Sequence, residues 1–172
     1  MTSLLLSVLA RAYRTKTLEE FSTAMPHYWL VWEPGVWKPP TKFGATLPSI
    51  PLGPLPSQPS AGEALALALA PRADRPGQIT LGRAASCDIE INDATLSQLH
   101  LLFMEAGGNL WTVRDAGSRN GSWVDHQLLI KGMPVPLRPG MLIQAAQVCL
   151  TFYDPKGLFE RLFAADSRET RD

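Results

Sequence analysis

The chain has 172 residues, with 16 Lys and Arg against 16 Asp and Glu, so its formal net charge is zero. That balance excludes a general binder of nucleic acid or of anionic membrane surfaces, which takes a basic excess, but leaves room for one local basic pocket. The length suits one domain plus an extension, with a core large enough to need no staples. Two cysteines, Cys87 and Cys149, make no disulfide framework, and both fall in or beside predicted strands. The expectation is a pair of reduced, buried thiols in a reducing compartment. No run approaches the roughly 18 apolar residues needed to cross a bilayer, and a cytoplasmic location is expected.

In chain order, residues 1–25 read as helical. Leu5, Val8, Leu9, Ala12 and Tyr13 lie on one face, and the apolar run lacks the leading positive charge of a signal peptide. Thr17 and Glu20 have capping-box spacing, so a second helix is expected from Leu18, with Leu18, Phe21 and Met25 buried and Pro26 as its stop. Tyr28 to Trp37 holds three of the five tryptophans, with a strand over Tyr28 to Trp32 and a turn at Pro34-Gly35. Left in water it would form a large apolar patch, so it either docks into a groove of the main domain or meets a partner. Residues 39–60 carry seven prolines and few charges and read as an extended spacer.

Beyond residue 60 the pattern turns to strands. Ala64 to Leu69 alternates Ala and Leu and suits helix or strand on propensity, but Pro71 and its neighbourhood favour a strand. Further strands are predicted at 78–81, 88–91, 99–104, 110–114, 122–124, 128–130, 141–144 and 148–153, with a hairpin at Gly107-Gly108-Asn109. Many short strands with frequent turns indicate a β-sandwich. Pro155 to Ala165 reads as a closing helix with Leu158, Leu162 and Phe163 on one face. The organisation expected is an extension over 1–60, a sandwich over 61–154, and a helix and tail over 155–172.

Three fragments fall at predicted strand ends or in loops: Gly82-Arg83, Ser97-Gln98-Leu99-His100 and Ser118-Arg119-Asn120-Gly121. Loops at one end of a sheet are where binding residues gather. A guanidinium, hydroxyls and an amide together make a donor set suited to phosphate. Each fragment alone is bland: Arg83 a solvated surface residue, Ser97 a turn or cap residue, Asn120-Gly121 a turn.

Taken in order and with their spacing, the three resemble the signature of forkhead-associated (FHA) domains. Ser86-Cys87-Asp88-Ile89, Asp115-x-Gly117-Ser118-Arg119-Asn120-Gly121-Ser122 and Leu137-x-Pro139-Gly140 extend the likeness over residues 64–153. The resemblance implies a mainly β fold, an FHA-like sandwich of about eleven strands, here with a helical N-terminal extension and a short C-terminal helix. It also implies a phosphothreonine-peptide-binding adaptor in Ser/Thr kinase signalling. Arg83 and Ser97 would contact the phosphate, and Gln98 stands where many relatives carry a basic residue or Asn. Arg119 or Ser118 would contribute from the third loop, and Asn120 would bond the peptide main chain. Gly82, His100 and Gly121 would support the loops. Asp125-His126 replaces an Asn-Gly turn, and Gln144-Ala145-Ala146 lacks an expected glycine.

No enzyme is expected, because no acidic group is placed to orient His100 towards Ser97. Asp88, Asp93 and Asp115 lack metal-ligand spacing, so no metal or other cofactor is expected, and turn and strand-end roles suffice for them. The expected partner is a phosphothreonine protein of a Ser/Thr kinase pathway, not nucleic acid or membrane. The alternative is a phosphate-independent scaffold or dimerisation protein using the same sandwich and its extension.

Overall fold

The computed structural model describes residues 3–33 and 63–163. The expectations for Pro34 to Trp37, for the proline-rich tract and for the helix beyond residue 163 lie outside the described residues. The chain begins with a short strand, β1 (Ser3–Leu5), then α1 (Leu6–Tyr13) and α2 (Leu18–Ala24). Where a helix was expected from the start, the first described residues pair instead with a later strand, Ser3 opposite Leu67 and Leu5 opposite Leu65. The second helix starts as its capping box dictates. The Thr17 hydroxyl accepts the Glu20 N–H at 3.3 Å, and a Glu20 carboxylate oxygen accepts the Thr17 N–H at 2.9 Å.

Ten further strands follow the first helices: β2 (Tyr28–Trp32), β3 (Leu65–Leu69), β4 (Gln78–Gly82), β5 (Ile89–Glu90), β6 (Leu101–Glu105), β7 (Trp111–Asp115), β8 (Ser122–Val124), β9 (Gln127–Leu128), β10 (Val135–Leu137) and β11 (Leu142–Ala145). The chain then runs through β12 (Val148–Tyr153) into α3 (Pro155–Phe163). A seven-stranded sheet in the order β1-β3-β2-β12-β11-β8-β9 packs on a five-stranded sheet in the order β10-β7-β6-β4-β5. The fold is therefore mainly β, with twelve strands among the described residues.

β10 was not expected as a separate strand. It is short and contains Pro136, which cannot donate to a ladder and is tolerated because β10 is an edge. In the β8–β9 hairpin Val124 faces Gln127, leaving Asp125 and His126 as a two-residue turn with φ of 45° and 66°. Two consecutive left-handed residues match a type I′ turn, which ordinarily selects Asn-Gly.

The Ala/Leu alternation of β3 acquires a physical meaning. Leu65, Leu67 and Leu69 enter the core between the sheets, beside Leu30, Trp32, Leu81, Phe103, Val113 and Phe152. Ala66 and Ala68 face the other way, into a second core with Leu9, Phe21, Leu158 and Leu162 from the three helices. Small residues on that face let a helical layer close over the sheet, which buries every residue of β3. Trp29 and Val31 of β2 belong to the same outer core, so its apolar side chains serve both layers. Phe21 stacks edge-on against Tyr13 at 4.9 Å and against Phe159 at 5.4 Å, joining the N-terminal helices to α3.

β2 is an interior strand. It pairs with β3 on one side, Trp32 opposite Leu65, and with β12 on the other, Trp32 opposite Leu150. The composition changes near residue 60, but the sheet runs straight across that change. The connection between Trp32 and Leu65 thus leaves and re-enters adjacent strands.

Candidate functional site

The three loops of interest meet at one end of the sandwich: residues 83–88 after β4, 92–100 before β6, and 116–121 after β7. β4 and β6 bring the first two together, and main-chain bonds seal them. Arg83 N–H donates to the Ser97 carbonyl at 2.9 Å, Ala84 N–H to the Gln98 carbonyl at 3.1 Å, and His100 N–H to the Leu81 carbonyl at 2.8 Å. Gly82 is required by that approach. A Cβ there would lie 2.2 Å from the Gln98 carbonyl oxygen, a backbone atom that cannot step aside.

The third loop is tied to the second through side chains. The Ser97 hydroxyl oxygen accepts the Arg119 main-chain N–H at 2.9 Å, and Asn120 Nδ2 donates to the Thr95 carbonyl at 2.7 Å. His100, fully buried, spans both loops: the Ser97 N–H points at Nδ1 at 3.1 Å, and Nε2 lies 3.1 Å from the Gly121 carbonyl. An acceptor at Nδ1 and a donor at Nε2 define the neutral Nε2–H tautomer. Burial holds its pKa below the ordinary value, against the opposing pull of Gly121, Asp115 and Asp93. Both ring nitrogens are engaged, so His100 braces the loops.

The carboxylates named earlier have turn and strand-end partners. Asp93 Oδ1 accepts the N–H and hydroxyl of Thr95, at 2.8 and 2.6 Å, shaping the turn before Ser97. Asp88 Oδ2 accepts the N–H and hydroxyl of Thr80, and its other oxygen faces Arg75 at 3.2 Å. Asp115 is fully buried and accepts four bonds, from the N–H of Gly117 and Ser118 and the hydroxyls of Ser118 and Ser122. Burial pushes its pKa up, but the bonds from Ser118, Ser122 and Gly117 outweigh it and leave the carboxyl below its ordinary value.

Ser118 requires a correction. It was grouped with the peptide-contacting residues, yet it is fully buried, and its hydroxyl donates to Asp115 Oδ2 at 2.5 Å while accepting the Gly121 N–H at 3.0 Å. It braces the third loop and presents nothing to a ligand. Thr95 and Ser122 were not singled out as supports. The Asp93-x-Thr95 spacing was the available signal for the first, and Ser122 had none until β7 and β8 were seen side by side. Cys87 and Cys149 are free thiols and half-buried, more open than expected. The Cys87 thiol donates to the Gln98 carbonyl at 3.2 Å, and burial raises its pKa.

Arg83, Gln98 and Arg119 are exposed, and Ser97 and Asn120 half-buried, around this junction. None of the ion pairs among the described residues engages Arg83 or Arg119. Ser97, having accepted from Arg119, keeps its own proton for donation outwards. Chemically, the arrangement offers two guanidiniums, a hydroxyl donor and two amides around a surface hollow. Among the described residues no group of His, Cys, Asp and Glu is arranged to hold a metal ion, and no helix is long and apolar enough to cross a membrane.

Solved structures similar to this chain include the N-terminal FHA domain of S. cerevisiae Rad53p, solved in complex with a phosphothreonine peptide. It is 20% identical, with 52% of this chain and 83% of that chain covered and a TM-score of 0.46. The FHA domain of an Arabidopsis thaliana hypothetical protein is 22% identical over 74% of this chain and 86% of that one, with a TM-score of 0.48. The FHA domain of CT664 from Chlamydia trachomatis is 20% identical over 52% and 84%, with a TM-score of 0.45. The family model described as FHA domain matches residues 79–146, which span all three loops. The chain carries an FHA domain over that stretch.

Proposed function

We propose that this chain is a phosphothreonine-peptide-binding module whose ligand is a protein phosphorylated in a Ser/Thr kinase pathway. In this reading Arg83 and Ser97 hold the phosphate, Gln98 and Arg119 flank it, and Asn120 Oδ1 accepts a main-chain N–H of the peptide. Gly82, His100 and Gly121 keep the loops in place. The observation that carries the reading is the bond from the Arg119 N–H to the Ser97 hydroxyl. It joins two loops at the point where a phosphate oxygen would be met, and it leaves the Ser97 proton and the neighbouring guanidiniums facing outwards. Charge-assisted bonds of this kind contribute about 1.5–3 kcal/mol each. Gln98 donates without a charge, so the phosphate's counter-charge rests on Arg83 and Arg119.

The test is a phosphopeptide library titrated against the whole chain and against Arg83→Ala. Binding should require the phosphate and should fall by at least about ten-fold in the variant. Equal affinity for phosphorylated and unphosphorylated peptides would reject the reading.

A further inference from the structure

We infer that the phosphopeptide partner carries a large aliphatic side chain a few residues from its phosphothreonine, seated in an apolar groove on the flank of the sandwich. This inference rests on the proposed function and extends it beyond the phosphate hollow. Seven large apolar side chains are exposed among the described residues, and three of them, Leu128, Ile130 and Met133, line one groove of about 380 Å³. The groove lies where the free edges of the two sheets, β9 and β10, stand side by side, and half-buried Val135 and Met141 open its floor towards the core.

Two relationships tie the groove to the phosphate end. A Cβ placed on Gly121 would meet Leu128 Cδ1 at 3.6 Å, so the groove begins in contact with the residue that follows Asn120. Gly132 N–H donates to the Asp115 carbonyl at 2.9 Å, which sets Lys131 beside the start of the third loop. No ion pair among the described residues engages Lys131, so the cationic character of Arg83 and Arg119 continues along the rim. An extended peptide advances about 3.3 Å per residue and reaches the groove within a few residues of the phosphate. Pro136 cannot offer an N–H from the β10 edge. Recognition there falls to side-chain insertion rather than strand addition.

The experiment measures fluorescence anisotropy of single-phosphothreonine peptides in an alanine background, with leucine placed in turn at each flanking position. The proteins are the whole chain, Arg83→Ala, and the double variant Ile130→Lys with Met133→Lys, whose exposed positions leave the core untouched. Leucine at one position should tighten binding by about ten-fold. That gain should vanish in the double variant, while the all-alanine peptide binds it as before. Two outcomes overturn the inference but spare the proposed function: no leucine preference at any position with binding still dependent on phosphate and Arg83, or a preference that survives the double variant. Loss of all phosphate dependence would overturn both.

Discussion

His100 holds Ser97 by the main chain: the Ser97 N–H donates to Nδ1 at 3.1 Å, which leaves the serine hydroxyl to the neighbouring loop. The pair therefore fixes backbone position, and the hydroxyl is set in place without being spent on the imidazole.

Protonating His100 would put a proton on the nitrogen that accepts from Ser97. Because burial lowers its pKa in the folded chain, the unfolded chain binds more protons, and stability falls as pH drops below about 6.5 towards the folded pKa. Asp115 and Asp88, both lowered, keep their stabilisation above an unfolded pKa of about 3.9 and lose it as pH falls through their folded values. Melting temperature against pH should thus decline in two steps, one for the histidine and one for the carboxylates. A flat curve down to about pH 4 would contradict the His100 assignment.

Gly82→Ala should cost about 3 kcal/mol, since its Cβ would lie 2.2 Å from the Gln98 carbonyl oxygen and the two loops would have to part. Urea unfolding reads the stability, and phosphopeptide affinity should fall as well because Ser97 moves with that carbonyl.

Gln144→Met should stabilise the fold. The Gln144 side chain is fully buried, and both its amide nitrogen and oxygen lack a hydrogen-bond partner. Replacing an unsatisfied amide by a thioether of similar volume should return about 1–2 kcal/mol. A lowered urea midpoint in the variant would show that the amide is satisfied in solution.

His126→Gly should raise the melting temperature. His126 sits at φ 66° in an exposed turn, a conformation costing a side-chain-bearing residue about 1–2 kcal/mol, of which glycine's greater freedom when unfolded takes back part. Asp125 should be left in place, because its carboxylate accepts the Leu142 N–H at 2.9 Å.

Much of this fold was readable where the cause is local. Thr17 and Glu20 announced the start of α2, and the glycines and asparagine at 107–109, all with positive φ, announced the β6–β7 turn. The Ala/Leu run of β3 announced a strand but not its two unlike faces, since the helices that cover its alanines lie at both ends of the chain. The position of β2 was illegible for the same reason: its partners are β3 and β12, and no local pattern encodes a pairing across that distance. In the candidate site Arg83, Ser97 and Asn120 were visible as residue types at loop positions, whereas Ser118 was misjudged. A serine inside a loop motif reads as exposed until the buried carboxylate of Asp115 is found beside it.

The placement of β2 also bears on how the molecule is made. Its partner β12 is among the last stretches to leave the ribosome, so the aromatic strand Tyr28–Trp32 has one of its two neighbours missing until nearly the whole polypeptide has emerged. Closing that pairing spans most of the chain, a non-local step that slows folding. Until it closes, a sticky five-residue segment stays uncovered on the nascent chain, a natural target for holding chaperones and the place where premature association would begin.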